Sequence, residues 1–174
     1  DRISLVGCGT AHLAGHVAKY WFEQLAGLPC DIDVASEFRY REPPLSPRSW
    51  AIFVSQSGET ADTLAALQYC KGKVAKTLGV VNVGTSAIAR DADIALPILA
   101  GIEVGVASTK AFTCQLAVLA VLLLVGVLFR GVIGNWLWPT QRAEDLRLQA
   151  RAALEAGRLS AADGSGAREL FEAA

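Results

Sequence analysis

Residues 50–60, WAIFVSQSGET, decide the fold of this chain. The first half is an apolar run of strand length, which is typical of a parallel strand with both faces buried. At Ser55 the run gives way to hydroxyl and amide side chains, and apolar periodicity then predicts a helix from about Ala61 to Cys70. A buried strand that passes through a short polar loop into a helix is the building unit of an α/β domain.

The same alternation recurs along the first 130 residues. Further strands are predicted at four short apolar runs: Ile3–Val6, Ile32–Ala35, Thr77–Asn82 and Ile94–Leu96. Helices are predicted over Leu13–Leu25 and from near Ser108 to Phe129, whereas three prolines predict a loop for residues 36–49, SEFRYREPPLSPRS. The pattern predicts a three-layer α/β/α domain with a five-stranded parallel sheet flanked by helices. Such domains bind ligands at the carboxyl ends of their strands.

The composition argues against two classes of protein. With 52% hydrophobic and 19% charged residues among 174, the chain is too apolar to be disordered, and its length suits one domain with a small surplus. The 16 basic and 17 acidic residues give a net charge of −1, which argues against a general nucleic-acid binder. Local geometry, rather than bulk charge, would have to hold an anionic ligand.

The cysteines and the start of the chain indicate the compartment. No C-x-x-C spacing occurs among the four cysteines, so we predict reduced, mostly buried thiols in a cytoplasmic protein: Cys8, Cys30, Cys70 and Cys114. The chain starts at Asp1, contains no methionine and shows no leader peptide. We therefore expect a trimmed chain or part of a longer reading frame.

The most apolar stretch, Leu116–Phe129, is 14 residues long and is bounded by Gln115 and Arg130. Because a membrane span needs about 20 apolar residues, the stretch predicts a core or interface helix and no membrane partner. A spanning helix is the alternative.

Residues 131–174 depart from the alternating pattern and are predicted to form a divergent helical tail after the 1–130 domain. An amphipathic helix is expected over Glu144–Ala156, with Leu146, Ala150 and Leu154 on one face. The turn-rich end of the tail is expected to be loosely ordered.

The segment Ser55–Thr60, called the hydroxyl loop from here on, carries three hydroxyls and an amide before a helix. The free N–H groups of a helix N-terminus and the helix dipole favour an anion there, and Gly58 allows the backbone to come close to it. The loop contains no Lys or Arg, so a phosphate monoester would be held by hydrogen bonds alone. The competing interpretation is an ordinary helix cap made by Thr60.

The first loop, residues 7–12, GCGTAH, leaves a second interpretation open. It resembles the start of a dinucleotide-binding motif, and Glu37 follows the second predicted strand where an acid would bind a ribose. His12, however, stands where the third glycine belongs. Neither a phosphate-binding G-K-[ST] motif nor a nucleophile elbow occurs.

Three smaller features carry weaker hypotheses. Lys110 stands at the start of a predicted helix, which suggests a nearby anion or a salt bridge with Glu103. His12 and His16 have the spacing of a zinc-binding pair but lack an evident third ligand, so we predict no metal site. The alternating residues 38–41, FRYR, are predicted to pack as a surface turn rather than to stack on bases.

Several segments together resemble the glutamine–fructose-6-phosphate aminotransferase family, the glucosamine-6-phosphate synthases. These are GCGT, KYWFEQLAGLPCD, SEFRYREPP, SQSGETADTLAAL and GVASTKAFTCQL. The resemblance covers about residues 1–130 and is to the first of the two SIS (sugar isomerase) subdomains of the isomerase half. The hydroxyl loop alone would indicate only the broader SIS superfamily, whereas the SEFRYR and GVASTKAFT segments make the assignment narrower.

This resemblance implies a phosphosugar site for fructose 6-phosphate or glucosamine 6-phosphate. Its substrate-binding residues would be Thr10, Ser55, Gln56, Ser57, Thr60, Val106 and Ser108. The family takes its catalytic base and lysine from a second SIS subdomain and a C-terminal tail, and a histidine from a neighbouring subunit. We therefore expect a binding-competent homodimer that requires no cofactor and has no catalytic residue of its own.

Two positions depart from the family pattern. Ala11 stands where a serine that contacts the sugar is usual, and His12 stands where a tyrosine is common. The sequence after Arg130 also leaves the family's linker. The alternative is therefore a standalone SIS module, either one that senses a sugar phosphate or one that has only a structural, dimer-forming role.

Overall fold

The computed structural model describes residues 2–103, 108–137 and 148–155. Its elements alternate in chain order as β1 Ile3–Gly7, α1 Thr10–Ala26, β2 Cys30–Val34, α2 Ala35–Arg41, β3 Trp50–Ser55, α3 Ala61–Cys70, β4 Lys76–Val81, α4 Ala87–Asp91, β5 Ile94–Pro97 and α5 Thr109–Leu137. Residues 148–155 are also helical. The chain forms two compact units, Asp1–Val125 and Gly126–Ala174.

The five predicted strands form one sheet in the order β2-β1-β3-β4-β5, and every neighbouring pair is parallel. The chain therefore leaves β1 in one direction to form β2 and crosses back to form β3 on the other side. This reversal opens the carboxyl edge between β1 and β3, the place where such sheets bind ligands. The strand β2 begins two residues earlier than predicted, at Cys30.

Alternating strand residues fill two cores, one on each face of the sheet. Leu5, Ile52 and Leu78 belong to the core shared with α1 and α5. Phe53 and Val81 belong to the core on the other face, which contains residues of α2, α3 and α4. The predicted three-layer α/β/α architecture is confirmed.

The predicted loop over residues 36–49 was wrong in its first half, because Ala35–Arg41 forms helix α2. The first proline lies at position 43, beyond the end of this helix, so it limits the helix without preventing it. Phe38 is buried, and Arg39 forms an ion pair with Asp62 at 2.8 Å. Residues 38–41, predicted to form a surface turn, are therefore part of a short helix that buries Phe38 and pairs Arg39.

The long helix α5 continues past its predicted end at Phe129 and reaches Leu137. Ala111, Leu119 and Leu123 are buried in the core, so the predicted central packing is confirmed for one side of this helix only. The part Thr109–Leu128 is apolar and long enough to cross a membrane by composition, with a mean hydropathy of 2.5, and 22% of it is buried. A core helix passes the same test, so the absence of a membrane partner stays a prediction.

The tail prediction falls mostly outside the described residues, including Leu146 and the turn-rich end at 156–174. Within the described helix at 148–155, Ala150 is buried as expected, whereas Leu154 is half exposed. Ala153 is buried in its place.

All four cysteines are free thiols, as predicted. Cys30 and Cys70 are buried, and burial raises the pKa of each thiol to about 12, so neither forms a thiolate near neutral pH. Cys8 and Cys114 are half buried.

The start of β4 is fixed to the start of β5 by a carboxylate. Asp93 accepts hydrogen bonds from the backbone N–H of Thr77 at 2.8 Å and from its hydroxyl at 2.9 Å. These bonds hold the pKa of Asp93 below its usual value. A lowered pKa stabilises the fold above the unfolded pKa of about 4, and the contribution is lost as the pH falls through the folded value.

We expect Asp93→Asn to lower the free energy of unfolding by about 0.5–1 kcal/mol at neutral pH, because the site is solvent-screened. Urea unfolding of both proteins between pH 7 and about pH 3 measures the difference, which should shrink towards acid. A difference that stays constant over this range would show that the charge of Asp93 is not what stabilises the strand pair.

Candidate functional site

The candidate site lies at the carboxyl edge of the sheet, where the loops after β1 and β3 diverge. Gly7 ends β1 next to Val54 of β3, and a Cβ at Gly7 would come within 3.1 Å of the Val54 carbonyl oxygen. The close approach of these strands places the first loop next to the hydroxyl loop. The two motifs that sequence analysis singled out separately therefore share one edge.

The hydroxyl loop is organised from within by Ser55. Its Oγ accepts the N–H of Gly58 at 3.0 Å and lies 3.1 Å from Thr60 Oγ1. Ser55 is only 3% exposed, whereas Ser57 and Thr60 are half buried. Ser55 is thus placed to shape the loop, and the other two hydroxyls are the ones that solvent reaches.

Thr60 occupies the N-cap position of α3, but its hydroxyl does not cap the helix. The side chain pairs with Ser55 instead. The first N–H groups of a helix have no partner within the helix, so the N-terminus of α3 offers donors and a positive dipole end to a ligand. The ordinary-cap interpretation of this loop is therefore wrong for Thr60.

Gly58 connects the hydroxyl loop to the segment before α4. It has a φ of +68°, and a Cβ there would lie 2.0 Å from Ser86 Oγ, which is closer than atoms can approach. Its carbonyl oxygen accepts the N–H of Ile88 at 3.0 Å. Next to it, Glu59 Oε1 accepts the N–H of Ala87 at 2.8 Å, so this carboxylate caps α4.

Asn82 joins the hydroxyl loop to the loop after β5. Its backbone N–H donates to the Gln56 carbonyl oxygen at 3.1 Å. Its side-chain amide accepts from Ala100 N at 2.9 Å and donates to Gly101 O at 2.7 Å. Asn82, directly after β4, therefore connects the end of this strand to the loops that follow its two neighbours, β3 and β5.

The loop after β5 is held by Glu103 at the N-terminus of α5. The carboxylate accepts N–H groups of Lys110 at 3.0 Å and Ala111 at 3.2 Å, and it lies 3.5 Å from Ser108 Oγ. Glu103 thus lies beside Lys110, as the hypothesis of a nearby carboxylate requires, but it bonds to the backbone N–H groups of α5, where its charge suits the positive helix end. The Lys110 ammonium group itself donates to the Ile102 carbonyl oxygen.

The predicted site residues are distributed over this edge. The structure brings Ser55 and Thr60 into direct contact, and it places Thr10 as the exposed first residue of α1. Ser108 precedes α5, with a φ of +32°. Val106 lies outside the described residues.

An open cleft of about 680 Å³ lies beside the hydroxyl loop. It is lined by Gln56, Asn82, Val83, Gly84, Leu99, Gly101, Ile102 and Glu103. Leu99 and Ile102 are almost fully exposed there. Gln56 is thus among the residues that line an open, mostly apolar groove.

Sequence reasoning missed the residues that hold the loops in place. Glu59 and Glu103 were not predicted to cap helices, and Asn82 and Ser86 were not predicted to join loops. The one sequence signal for such a role was Asn82, a polar amide directly after a buried strand. The partners themselves follow from the tertiary fold.

The parallel sheet with a hydroxyl-rich loop at its switch point defines a doubly wound α/β domain. A family model described as the SIS domain matches residues 1–125, and this chain belongs to the SIS domain family.

Within this family, the chain is readily compared with two glutamine–fructose-6-phosphate aminotransferases. The chain is 64% identical over 135 residues to a glutamine–fructose-6-phosphate aminotransferase (isomerizing) of Bradyrhizobium diazoefficiens. It is 63% identical over 133 residues to one of Rhizobium meliloti. These matches cover 78% and 76% of this chain but only 22% of either relative. The chain therefore spans about a fifth of the length of the relatives it matches.

Solved structures agree with the family. The C-terminal domain of glucosamine-fructose-6-phosphate aminotransferase from Francisella tularensis superposes with a TM-score of 0.73 at 40% identity, covering 88% of this chain and 44% of that one. The sugar isomerase domain of an RpiR transcription factor from Sphaerobacter thermophilus superposes with a TM-score of 0.61 at 25% identity. That match covers 75% of this chain and 71% of that one.

The contact between Gly58 and Ser86 gives a test of the loop geometry. Gly58→Ala is expected to lower the free energy of unfolding by more than about 3 kcal/mol, because strain from a positive φ adds to a steric clash. Gly72→Ala is a matched control, since Gly72 has a φ of +74° but open space around its Cβ position, and it should cost about 1 kcal/mol. Urea unfolding measures both values, and equal losses would contradict the geometry.

Proposed function

We propose that this chain is the phosphosugar-binding part of a glucosamine-6-phosphate synthase, which forms glucosamine 6-phosphate and glutamate from fructose 6-phosphate and glutamine. The arrangement of the hydroxyl loop at the N-terminus of α3 carries this proposal. The proposed setting is the cytoplasm, where free thiols such as Cys8 persist.

The phosphate would sit in front of α3. The helix N–H groups and dipole would hold its charge, and the hydroxyls of Ser57 and Thr60 and the amide of Gln56 would donate further hydrogen bonds. Ser55 would act mainly by holding Gly58 N and Thr60 in position. Because the loop lacks a cation, its specificity would come from the number and direction of its donors.

The sugar end would extend towards Thr10, Val106 and Ser108. Glu103 would support this end indirectly, because its carboxylate holds the N-terminus of α5 next to Ser108. Ala11 supplies no hydroxyl where the family usually has a serine, so one sugar contact would be missing. We therefore propose binding dominated by the phosphate.

We do not propose that this chain catalyses the reaction by itself. In the family, the base and the lysine that move protons between sugar carbons come from segments beyond the first SIS subdomain. The chain corresponds to about a fifth, 22%, of the relatives. Its contribution would be to hold fructose 6-phosphate or glucosamine 6-phosphate in place.

Removal of the two accessible hydroxyls tests the phosphate site. We expect the double substitution Ser57→Ala and Thr60→Ala to weaken binding of fructose 6-phosphate and glucosamine 6-phosphate about 100-fold, since each charge-assisted hydrogen bond contributes roughly 1.5 kcal/mol or more. Isothermal titration calorimetry measures the affinities, and fructose without phosphate should not bind. The matched control is Ser46→Ala, whose hydroxyl lies in the turn before β3. Unchanged binding by the double variant would refute the proposed phosphate position.

A second candidate is a standalone SIS module that senses a sugar phosphate and regulates a partner. The structural likeness to the sugar isomerase domain of a transcription factor and the missing hydroxyl at Ala11 favour it. The discriminating observation is the natural reading frame. Continuation into a second SIS unit supports the synthase, whereas a frame that ends near residue 174 supports the sensor.

Self-association is the proposed role of the exposed side of α5. Val121, Leu124 and Val125 lie at helical spacing and are 58%, 55% and 45% exposed. Contiguous apolar surface of this kind is typical of a protein interface. We propose that a second copy covers it in a homodimer.

Charged substitutions on this side of the helix test the dimer. The double substitution Val121→Glu and Leu124→Glu should convert the dimer into a monomer in analytical ultracentrifugation, because the charges would be desolvated in the interface. Leu25→Glu, at an exposed leucine of α1, is the matched control and should leave the dimer intact. A wild-type monomer at high micromolar concentration would refute the dimer, and co-sedimentation with lipid vesicles would favour a membrane role for α5.

A further inference from the structure

The two histidines of the chain form a pair that the proposed function does not use. His12 and His16 lie one turn apart on α1, and their Nε2 atoms are 3.0 Å apart. The rings are nearly perpendicular, with centroids 4.6 Å apart. His12 is half buried and His16 is exposed, so solvent reaches the pair from one side.

The backbone of β2 orients the first ring. His12 Nδ1 lies 3.1 Å from the carbonyl oxygen of Asp33, and because a carbonyl can only accept, Nδ1 must carry the proton. In neutral His12 the lone pair is therefore on Nε2, which faces His16. A carbonyl that accepts Nδ1–H is the outer contact that protein metal sites use to orient a histidine whose Nε2 binds the ion. In this structure His12 Nε2 accepts a hydrogen bond from His16 Nε2–H at 3.0 Å.

The distance between the two nitrogens indicates which metals suit the pair. At metal–nitrogen distances of about 2.0–2.1 Å, two nitrogens 3.0 Å apart subtend roughly 90° at the ion, whereas a tetrahedral ion would need about 3.3 Å. Angles near 90° are those of square-planar and tetragonal sites, which Cu²⁺ and Ni²⁺ prefer. To bind an ion, the exposed His16 ring must give up its hydrogen bond to His12 Nε2 and move its proton from Nε2 to Nδ1, while the two Nε2 atoms stay about 3 Å apart. A neutral pair then loses no proton overall.

We propose that His12 and His16 form a two-histidine chelate site for a tetragonal divalent transition metal, Cu²⁺ or Ni²⁺. Within the described residues, no group of three or more His, Cys, Asp or Glu side chains is placed to bind a metal. Water therefore completes the coordination. Two carboxylates lie near the pair, and each forms an ion pair: Asp33 with Arg41, and Glu23 with Lys19.

Titration of the untagged chain with Ni²⁺ tests the site, with histidine ring signals in NMR as the readout. One Ni²⁺ per chain should broaden both rings. His16→Gln and His12→Tyr should each weaken binding about tenfold or more, because each removes one of two protein ligands. Lys19→Gln, on the same helix, and the double substitution Cys8→Ser and Cys114→Ser should leave the affinity unchanged.

Comparison of metals and of oligomeric state completes the test. The affinity should fall from Cu²⁺ to Ni²⁺ to Zn²⁺, and sedimentation should be unchanged by metal. Three results would overturn the proposal: binding that survives in both histidine variants, a preference for Zn²⁺ over Ni²⁺, and one metal shared by two chains. Because His16 is exposed, His16→Gln is expected to unfold at the wild-type temperature, so loss of binding in this variant cannot be attributed to unfolding.

Discussion

All five strands run in the same direction, and the rest of the structure depends on this constraint. Parallel pairing brings every strand's carboxyl end to one edge, so the helix N-termini that follow converge there as well. The reversal between β1 and β3 sends the loops that follow these paired strands to opposite faces of the sheet, which leaves room for a ligand between the loops. A polar loop at the end of a strand is thus placed by topology before any of its own contacts form.

Two acidic residues at this edge of the sheet are each bound to the N-terminus of a helix. Glu59 and Glu103 lie close to the proposed phosphate and sugar positions, where a free carboxylate would repel an anion. Both are instead hydrogen-bonded to the N-termini of neighbouring helices, Glu59 to α4 and Glu103 to α5. The helix dipoles compensate these carboxylates. At the N-terminus of α3, next to the hydroxyl loop, the first-turn carboxylate of Asp62 is paired with Arg39.

The sequence was sufficient where local pattern and tertiary structure agree. The strand Trp50–Ser55 and the helix Ala61–Cys70 lie where the sequence predicted them, because an apolar run and an apolar periodicity meet at the hydroxyl loop. The helix at Ala35–Arg41 was missed, since nearby prolines outweighed a weak amphipathic signal. The contacts of Asn82 could not be predicted, because its partners lie up to 26 residues before it and 19 after it and meet it only in the finished sheet.

The attachment of the hydroxyl loop to α4 has a consequence for the order of folding. Glu59 and Ala87 are 28 residues apart, and Gly58 and Ile88 close a loop of similar length. Neither bond can form until β4 has joined the sheet and α4 has folded behind it. On the ribosome, β1, α1 and β3 would emerge first, and the hydroxyl loop would acquire its final shape only after residue 91 had been synthesised.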